Sequence, residues 1–170
     1  MIDAQARNLV LAVYPFSRGF TFVYFEGPES PLEWGVKCLK EQERSARTIE
    51  EIKKLIDRCR PEVLVVEETT EGQRRNRRIN KLYMMIAHLA AAEYVDLHKV
   101  SKKQILECFA HVGAKTKQEI ARAIITQIPF FTSRLPKPRK PWTEGDSRQC
   151  LFNAVALALV FYRHNAFSPL

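Results

Sequence analysis

The sequence predicts an α/β fold built on a mixed five-stranded sheet. Apolar and aromatic segments with strand-like patterns open the chain, helical and strand-like segments then alternate, and an almost wholly apolar helix closes it. Such alternation is typical of right-handed βαβ crossovers onto parallel strands. We therefore expect three antiparallel strands, then two parallel strands, with helices flanking the sheet.

The length and the net charge of the chain limit the number of domains and the kinds of partner that we expect. The chain has 170 residues, with 27 Lys and Arg against 19 Asp and Glu, a formal net charge of +8 at pH 7. A chain of this length buries roughly two-thirds of the surface that it exposes when unfolded, which suits one domain over 1–170. No apolar run approaches the roughly 18 residues that span a bilayer, and the polar start MIDAQARN does not resemble a secretory signal. We expect a cytoplasmic protein without a membrane partner, whose basic charge favours a polyanion.

Three strands are predicted in the first forty residues. An apolar run over 8–14 and an aromatic, β-branched run over 20–26 flank a turn at 15–19. That arrangement is typical of a β-hairpin. Alternating apolar and polar residues over 32–38 predict a third antiparallel strand.

The pattern then changes to helices and buried strands. Apolar residues at three- and four-residue spacings predict a helix over 46–60 that ends before Pro61. The apolar run 63–66 predicts a strand covered on both faces. A second helix over 78–94 and a short strand over 95–100 follow.

Two capping boxes predict two more short helices. Ser101 and Thr116 each precede a Gln or Glu by three residues, so helices are expected over 102–109 and 117–127. The stretch after them, about 129–145, is basic and holds four of the nine prolines. We expect it to form a long functional loop without regular structure.

The last helix is predicted to begin near Asp146 or Ser147 and to end near Arg163. Between 150 and 162 its only strongly polar side chain is Asn153. A helix of this composition is buried nearly all round.

Cysteines, histidines and glycines exclude several kinds of site. The four cysteines have no CxxC spacing, and we expect free thiols that pack as small apolar groups, with neither disulfide nor zinc. No HxxxH or HExxH pattern, Gly-rich phosphate loop or GxSxG motif is present. We therefore do not expect a P-loop, Rossmann or serine-hydrolase site.

Carboxylates mark one candidate site. Glu67 and Glu68 follow the buried strand at its carboxyl end, where ligands bind in open α/β sheets. Neighbouring strand residues point to opposite faces, so we expect one of the two, Glu67, to enter the site. The alternative is that both carboxylates mark the exit of the strand into solvent, paired with Arg74 or Arg75.

One face of the last helix is a candidate second wall of that site. Asp146, Cys150 and Asn153 share it, because they are spaced by four and three residues. The alternatives are a plain N-cap for Asp146 and, for Asn153, a buried amide hydrogen-bonded to backbone.

Basic side chains flank the acidic strand end on both sides in sequence. Arginine and lysine would position a phosphate backbone while carboxylates hold a cation at the scissile phosphate, although each cluster alone also fits a solvated charged surface. The predicted nucleic-acid-binding residues are Arg18, Arg74, Arg75, Arg77, Arg78, Lys81, Lys137, Arg139 and Lys140.

Three segments resemble the RuvC branch of the RNase H-like superfamily, which includes the Holliday junction resolvases. They are the hairpin LAVYPFSRGF, where RuvC proteins have an Asp-Pro-Gly-Ser-Arg type of turn, the strand VLVVEE, and the helix FNAVALALVFY. The resemblance covers nearly the whole chain. It implies the three-layer RNase H-like fold, branched or structured DNA as partner, and a homodimer.

The resemblance also implies a metal site with departures. RuvC-type enzymes use an Asp from the first strand, a Glu from the fourth and acidic residues of the last helix to bind two divalent cations, usually magnesium. Glu67 matches the fourth-strand position, but Tyr14 stands at the first and Cys150 and Asn153 stand at the helix positions. Most of the charge that offsets two cations is therefore missing.

Two functions follow from this pattern. The first is a crossover-junction endonuclease that depends on Mg²⁺ or Mn²⁺, with Glu67, Glu68 and Asp146 as catalytic residues and Glu67, Asp146 and Asn153 as metal ligands. The alternative is a catalytically inactive module that binds nucleic acid through its basic segments.

A third possibility is a protein-docking surface on the aromatic hairpin around Phe16, Phe20, Phe22 and Tyr24. Exposed rings would favour docking, whereas buried rings would be ordinary core.

Overall fold

The computed structural model describes residues 9–68, 77–134 and 147–166. Its strands are β1 Val10–Phe16, β2 Gly19–Gly27, β3 Ser30–Cys38, β4 Val63–Glu67 and β5 Asp96–Val100. Its α-helices are α1 Arg44–Cys59, α2 Arg77–Ala92, α3 Lys102–Phe109, α4 Lys117–Gln127 and α5 Ser147–Ala166. Two 3₁₀ helices cover Ala110–Val112 and Pro129–Arg134.

The five strands form one mixed sheet in the order β3-β2-β1-β4-β5. β1 pairs with β2, and β2 with β3, in antiparallel register. β4 is parallel both to β1 and to β5. The predicted sheet of three antiparallel strands followed by two parallel strands is confirmed.

Helices cover both faces of the sheet, which gives three layers. Because strand side chains alternate, Val10 and Ala12 pack on the face with α3, α4 and α5, whereas Leu11 and Val13 pack on the face with α1 and α2. Each face has its own buried apolar cluster. The three-layer prediction is confirmed.

α5 is the central helix of the first layer. Every residue from 150 to 161 except Asn153 is buried, and the helix contacts β1, β2 and β4. This confirms the predicted buried helix. In the parts of the chain that the structure describes, no helix combines the length and the apolar character that crossing a membrane needs.

The prediction for the proline-rich segment is wrong at its start. Pro129–Arg134 is a 3₁₀ helix rather than irregular loop. Phe131 is fully buried, with its ring edge-on to Trp34 at 5.6 Å and to Phe152 at 6.3 Å between centroids. Proline fits the first position of a helix, and the burial of Phe131 supplies the stability that a short 3₁₀ turn lacks by itself. Residues 135–145 lie outside the described residues.

The four cysteines are free thiols. Cys108 and Cys150 are buried and Cys59 is half-buried, as expected for small apolar groups. Cys38 is exposed, contrary to the expectation, because it ends β3, an edge strand of the sheet.

The aromatic hairpin is core. Phe20, Phe22 and Tyr24 are buried among α1, α2 and the sheet, and only Phe16 is half-buried. The Tyr24 hydroxyl donates a hydrogen bond of 2.8 Å to the carbonyl of Cys59. These rings therefore offer no surface for docking a partner.

Candidate functional site

A cleft of about 190 Å³ opens where β1 and β4 end. Strand residues and α5 supply one wall, and the segment from α3 to α4 supplies the other. We call it the lysine cleft, and its polar lining is Tyr14, Glu67, Asn153, Lys102, Lys115 and Lys117.

The register of β1 and β4 brings Tyr14 and Glu67 to the same place. Ala12 lies opposite Val65 in the parallel pair, and carrying that register two residues further places Tyr14 level with Glu67. Both side chains share the sheet face with Ala12 and Val65, which is the face under α5. Glu67 is only 4% exposed, and Tyr14 is half-buried.

The side chain of Glu68 lies outside the cleft. It is exposed and does not line the lysine cleft. Its backbone N–H donates a 2.7 Å hydrogen bond to the carbonyl of Val100, which ties the exit of β4 to β5. The alternation of strand side chains separates the two neighbouring carboxylates, and Glu67 is the one that enters the cleft.

A buried threonine fixes α5 against the hairpin beside the cleft. Thr21 is fully buried, and its hydroxyl lies 2.9 Å from the carbonyl of Cys150 and 3.4 Å from that of Tyr14. Cys150 is buried and does not line the cleft. One turn further along α5, Asn153 does, and its Oδ1 accepts a 3.1 Å hydrogen bond from Nε2 of Gln149. The oxygen that a metal would use therefore already has a donor.

Three lysines of the cleft lie at the N-terminal ends of α3 and α4. Ser101 and Thr116 cap these helices through capping boxes, as predicted, so Lys102 and Lys117 are the first helical residues. Lys115 precedes the second cap, and all three lysine side chains are exposed. None of them forms an ion pair with a carboxylate among the residues that the structure describes.

Glu119 is the acidic residue nearest to Lys115 in sequence, but its carboxylate is used in the helix cap. Oε2 accepts hydrogen bonds of 2.7 Å from the backbone N–H of Lys115 and 3.2 Å from that of Thr116. These two bonds are the main reason why the pKa of Glu119 lies below its usual range. The residue lines the neighbouring cleft and not the lysine cleft.

A second basic group surrounds the turn between β1 and β2. The carbonyl of Ser17 accepts hydrogen bonds from Nη1 of Arg44 at 2.6 Å and from Nη2 of Arg78 at 3.1 Å. Arg44 also donates through Nε to the carbonyl of Leu39 at 2.9 Å. We call the hairpin patch the set formed by Arg18 in the turn, by Arg44 and Arg78, and by Arg77 and Lys81, which are exposed near Arg78 in the first turns of α2.

Several predicted site residues lie outside the described residues. They are Arg74, Arg75, Lys137, Arg139, Lys140 and Asp146.

Comparisons with known proteins bear on the fold. No family model and no curated protein matches the sequence. Among solved structures, Thermus thermophilus RuvC is 20% identical, with a TM-score of 0.67, over 93% of this chain and 96% of that one. T. thermophilus RuvC in complex with a Holliday junction substrate is 18% identical, with a TM-score of 0.68, over 94% and 96%.

The fold is that of RuvC. The fowlpox virus Holliday junction resolvase is also similar, at 8% identity and a TM-score of 0.56 over 92% of this chain and 99% of that one. A RuvC-like RNase H fold was predicted from the sequence, and these likenesses confirm it.

The donor set of the cleft does not fit the two divalent cations that a RuvC-like fold implies. Within the described residues, no group of three or more His, Cys, Asp or Glu side chains could hold a metal ion. From the residues that the structure describes, the cleft has one carboxylate, that of Glu67, together with the amide oxygen of Asn153, which accepts a hydrogen bond from Gln149, and the phenol of Tyr14. Two cations need several carboxylates to offset their charge, and three lysines would repel them. The lining fits an anion instead.

The basic lining of the cleft escaped prediction from sequence. Lys102, Lys115 and Lys117 are separated from Glu67 by at least 35 residues, so only the fold brings them together. One local signal exists. Lys102 and Lys117 directly follow the predicted capping residues, at a helix end where the macrodipole disfavours a cation.

Proposed function

We propose that this chain binds branched DNA, with backbone phosphates seated along the edge where β1, β4 and β5 end. The lysine cleft is the observation that carries the proposal, because its described lining has three lysines and one carboxylate. The hairpin patch follows the carboxyl end of β1 and therefore belongs to the same edge. The RuvC-like fold supports DNA of this shape, since a solved RuvC structure holds a Holliday junction substrate.

The proposed contacts read shape rather than base sequence. Arginine and lysine bind phosphate oxygens and fix the register of the protein on DNA, but phosphates carry no base information. Arg77 and Lys81 are exposed in the first turns of α2, whereas Arg44 and Arg78 also donate hydrogen bonds to the carbonyl of Ser17. Arg77 and Lys81 are thus the better residues for testing DNA contact.

A second candidate function is phosphodiester cleavage that depends on Mg²⁺ or Mn²⁺. The place of Glu67 at the end of β4, inside the cleft, favours it. Glu68, Asp146 and Asn153 would have to complete the site. This candidate requires that the protein nick a four-way junction in Mg²⁺ or Mn²⁺ and that Glu67→Gln abolish the nicking.

We propose three further properties. One domain over 1–170 and a cytoplasmic location follow from the sequence, and a homodimer follows from the resemblance to RuvC. Sedimentation of the protein alone and with a four-way junction measures the oligomeric state.

The test of DNA binding is fluorescence anisotropy with a labelled four-way junction and a linear duplex of the same arm sequence, both in EDTA. We expect the junction to bind more tightly and the affinity to fall steeply between about 50 and 200 mM salt. Arg77→Gln with Lys81→Gln should weaken binding to all sequences and lower the salt slope by about one for each lost phosphate contact.

Lys54→Gln is the matched control, because this exposed lysine of α1 pairs with Glu51 and lies in neither basic group. It should leave affinity and salt slope unchanged. Absent binding, binding insensitive to salt, or equal affinity for duplex and junction would refute the proposal.

A further inference from the structure

We infer that the lysine cleft binds a phosphodiester group directly, through Lys102, Lys115 and Lys117, without a divalent cation. The ammonium groups would supply the positive charge that two cations supply in a RuvC-type site. This inference rests on the proposed binding of DNA and deepens it, since it names the ligand of the cleft and how the ligand is held.

The position of two of the lysines is the first argument. Lys102 and Lys117 occupy the first residue of α3 and α4, where the positive end of the helix dipole disfavours a cation. α3 has no acidic residue in its first turn that would compensate. Residues that break a local rule without local compensation are expected at functional sites. α4 differs, because Glu119 lies in its first turn. Lys102 is therefore the cation without acidic compensation at its helix end, and both lysines line the same cleft.

The second argument is the balance of charge around the cleft. Among its described lining residues, three lysines face one carboxylate, that of Glu67. The carboxylate of Glu119 is held by the backbone of its own helix end, and Lys103 pairs with Glu107 at 3.9 Å outside the cleft. The positive ends of the two helix dipoles add to the lysine charge. An anion entering the cleft would gain from all of these contributions.

Size and lining agree with a phosphodiester. The cleft volume of about 190 Å³ equals roughly six water molecules at about 30 Å³ each, which leaves room for a phosphate group. Its remaining lining includes Ile105, Leu106 and Ile120 from the two helices. Apolar side chains beside the lysines suit the sugar that accompanies a backbone phosphate.

A substitution at Glu67 distinguishes binding by lysines alone from binding through a cation, because the two mechanisms predict opposite changes in affinity. In a cleft where lysines alone hold the phosphate, its carboxylate repels the ligand, so Glu67→Gln should strengthen binding. In a site where Glu67 holds a cation that in turn binds phosphate, the same change should weaken binding, and only when the cation is present.

The experiment measures four-way junction affinity by anisotropy in EDTA and again in Mg²⁺. The double variant Lys102→Gln with Lys117→Gln should bind the junction about tenfold or more weakly, both in EDTA and in Mg²⁺. Each substitution removes a charge-assisted hydrogen bond to phosphate. The matched control is Lys53→Gln with Lys54→Gln, two exposed lysines of α1 that lie in neither basic group and do not line the cleft. The control should change affinity by less than about twofold. Glu67→Gln should strengthen binding about threefold or more in EDTA.

Two results would overturn the inference while DNA binding stands. One is a cleft double variant that binds no worse than the Lys53 and Lys54 control. The other is a Glu67→Gln variant that loses affinity in Mg²⁺ and not in EDTA. All the lysines are exposed, so thermal melting is expected to match that of the wild type and to exclude unfolding as the cause.

Inorganic phosphate separates this inference from the proposed function. If the wild type does not bind the junction, the proposed function fails. The cleft is then tested alone by titrating inorganic phosphate and following the ammonium signals of the lysines by NMR. Signals that shift in the wild type and not in the Lys102 and Lys117 double variant support the cleft. No shift in the wild type refutes it.

Discussion

Phe131→Ala is expected to lower the free energy of unfolding by about 3–5 kcal/mol. The ring is 0% exposed and lies edge-on to Trp34 and Phe152, so truncation leaves a cavity between β3, α5 and the 3₁₀ helix. The surrounding sheet and helix cannot collapse fully into that space. Urea unfolding followed by circular dichroism and tryptophan fluorescence measures the loss.

The neighbouring residue supplies the control. Phe130 also contacts Trp34, with centroids 4.7 Å apart, but is 60% exposed. Phe130→Ala should lower the free energy of unfolding by about 1 kcal/mol or less. Equal losses at the two positions would contradict the assignment of Phe131 as the residue that anchors Pro129–Arg134.

Gly19→Ala is expected to lower the free energy of unfolding by about 3 kcal/mol, the upper part of the range for overpacking. A Cβ at this position would lie 1.7 Å from the carbonyl oxygen of Lys37, inside the paired strands β2 and β3. The neighbouring atoms are backbone, so the two strands must separate to admit the methyl group. The hairpin patch should be disturbed as well, because the turn that carries Ser17 and Arg18 ends at Gly19.

Gly27→Ala makes the same chemical change at the other end of β2. The nearest atom to its Cβ would be the Ser30 hydroxyl oxygen at 3.9 Å, an ordinary contact. The free energy of unfolding should stay within about 1 kcal/mol of the wild type. If both alanine variants unfold at the same urea concentration as the wild type, the close pairing of Gly19 with β3 is wrong.

The sheet could be predicted because its strands carry strong local patterns. A strand buried on both faces is apolar at every position, as in the run 63–66. A strand buried on one face alternates apolar and polar residues, as over 32–38. The capping boxes at Ser101 and Thr116 are equally local, and both formed as expected. Patterns of this kind need no knowledge of distant partners.

The segment that begins at Pro129 could not be predicted from its local sequence pattern. Its prolines predicted an irregular loop, but the burial of Phe131 against Trp34 and Phe152 holds the first six residues in a 3₁₀ helix. Trp34 lies almost a hundred positions before Phe131 in the sequence, and Phe152 lies in the last helix, so no pattern within the segment predicts these contacts.

The site residues also fall into those that the sequence could place and those that it could not. Glu67 could be placed at the end of β4, because strand alternation separates it from Glu68. Lys102, Lys115 and Lys117 could not be placed beside it, since that requires the packing of α3 and α4 on the sheet. Arg44 was missed for a similar reason, as its partners Ser17 and Leu39 lie in other elements.

We propose that this RuvC-like fold presents an edge whose described polar groups suit phosphate better than metal. Tyr14, Glu67 and Asn153 line the cleft there together with Lys102, Lys115 and Lys117. The same backbone scaffold presents the site, because parallel strands end there whatever the side chains are.

Isothermal titration of Mg²⁺ and of Mn²⁺ into the wild type and into Glu67→Gln measures whether Glu67 binds a cation. We expect the two proteins to give the same heats, because the cleft holds its ligand through lysines and Glu67 binds no cation. Saturable binding of either cation to the wild type that disappears in Glu67→Gln would contradict it. Such a result would show that Glu67 still holds a metal and would favour cleavage over binding alone.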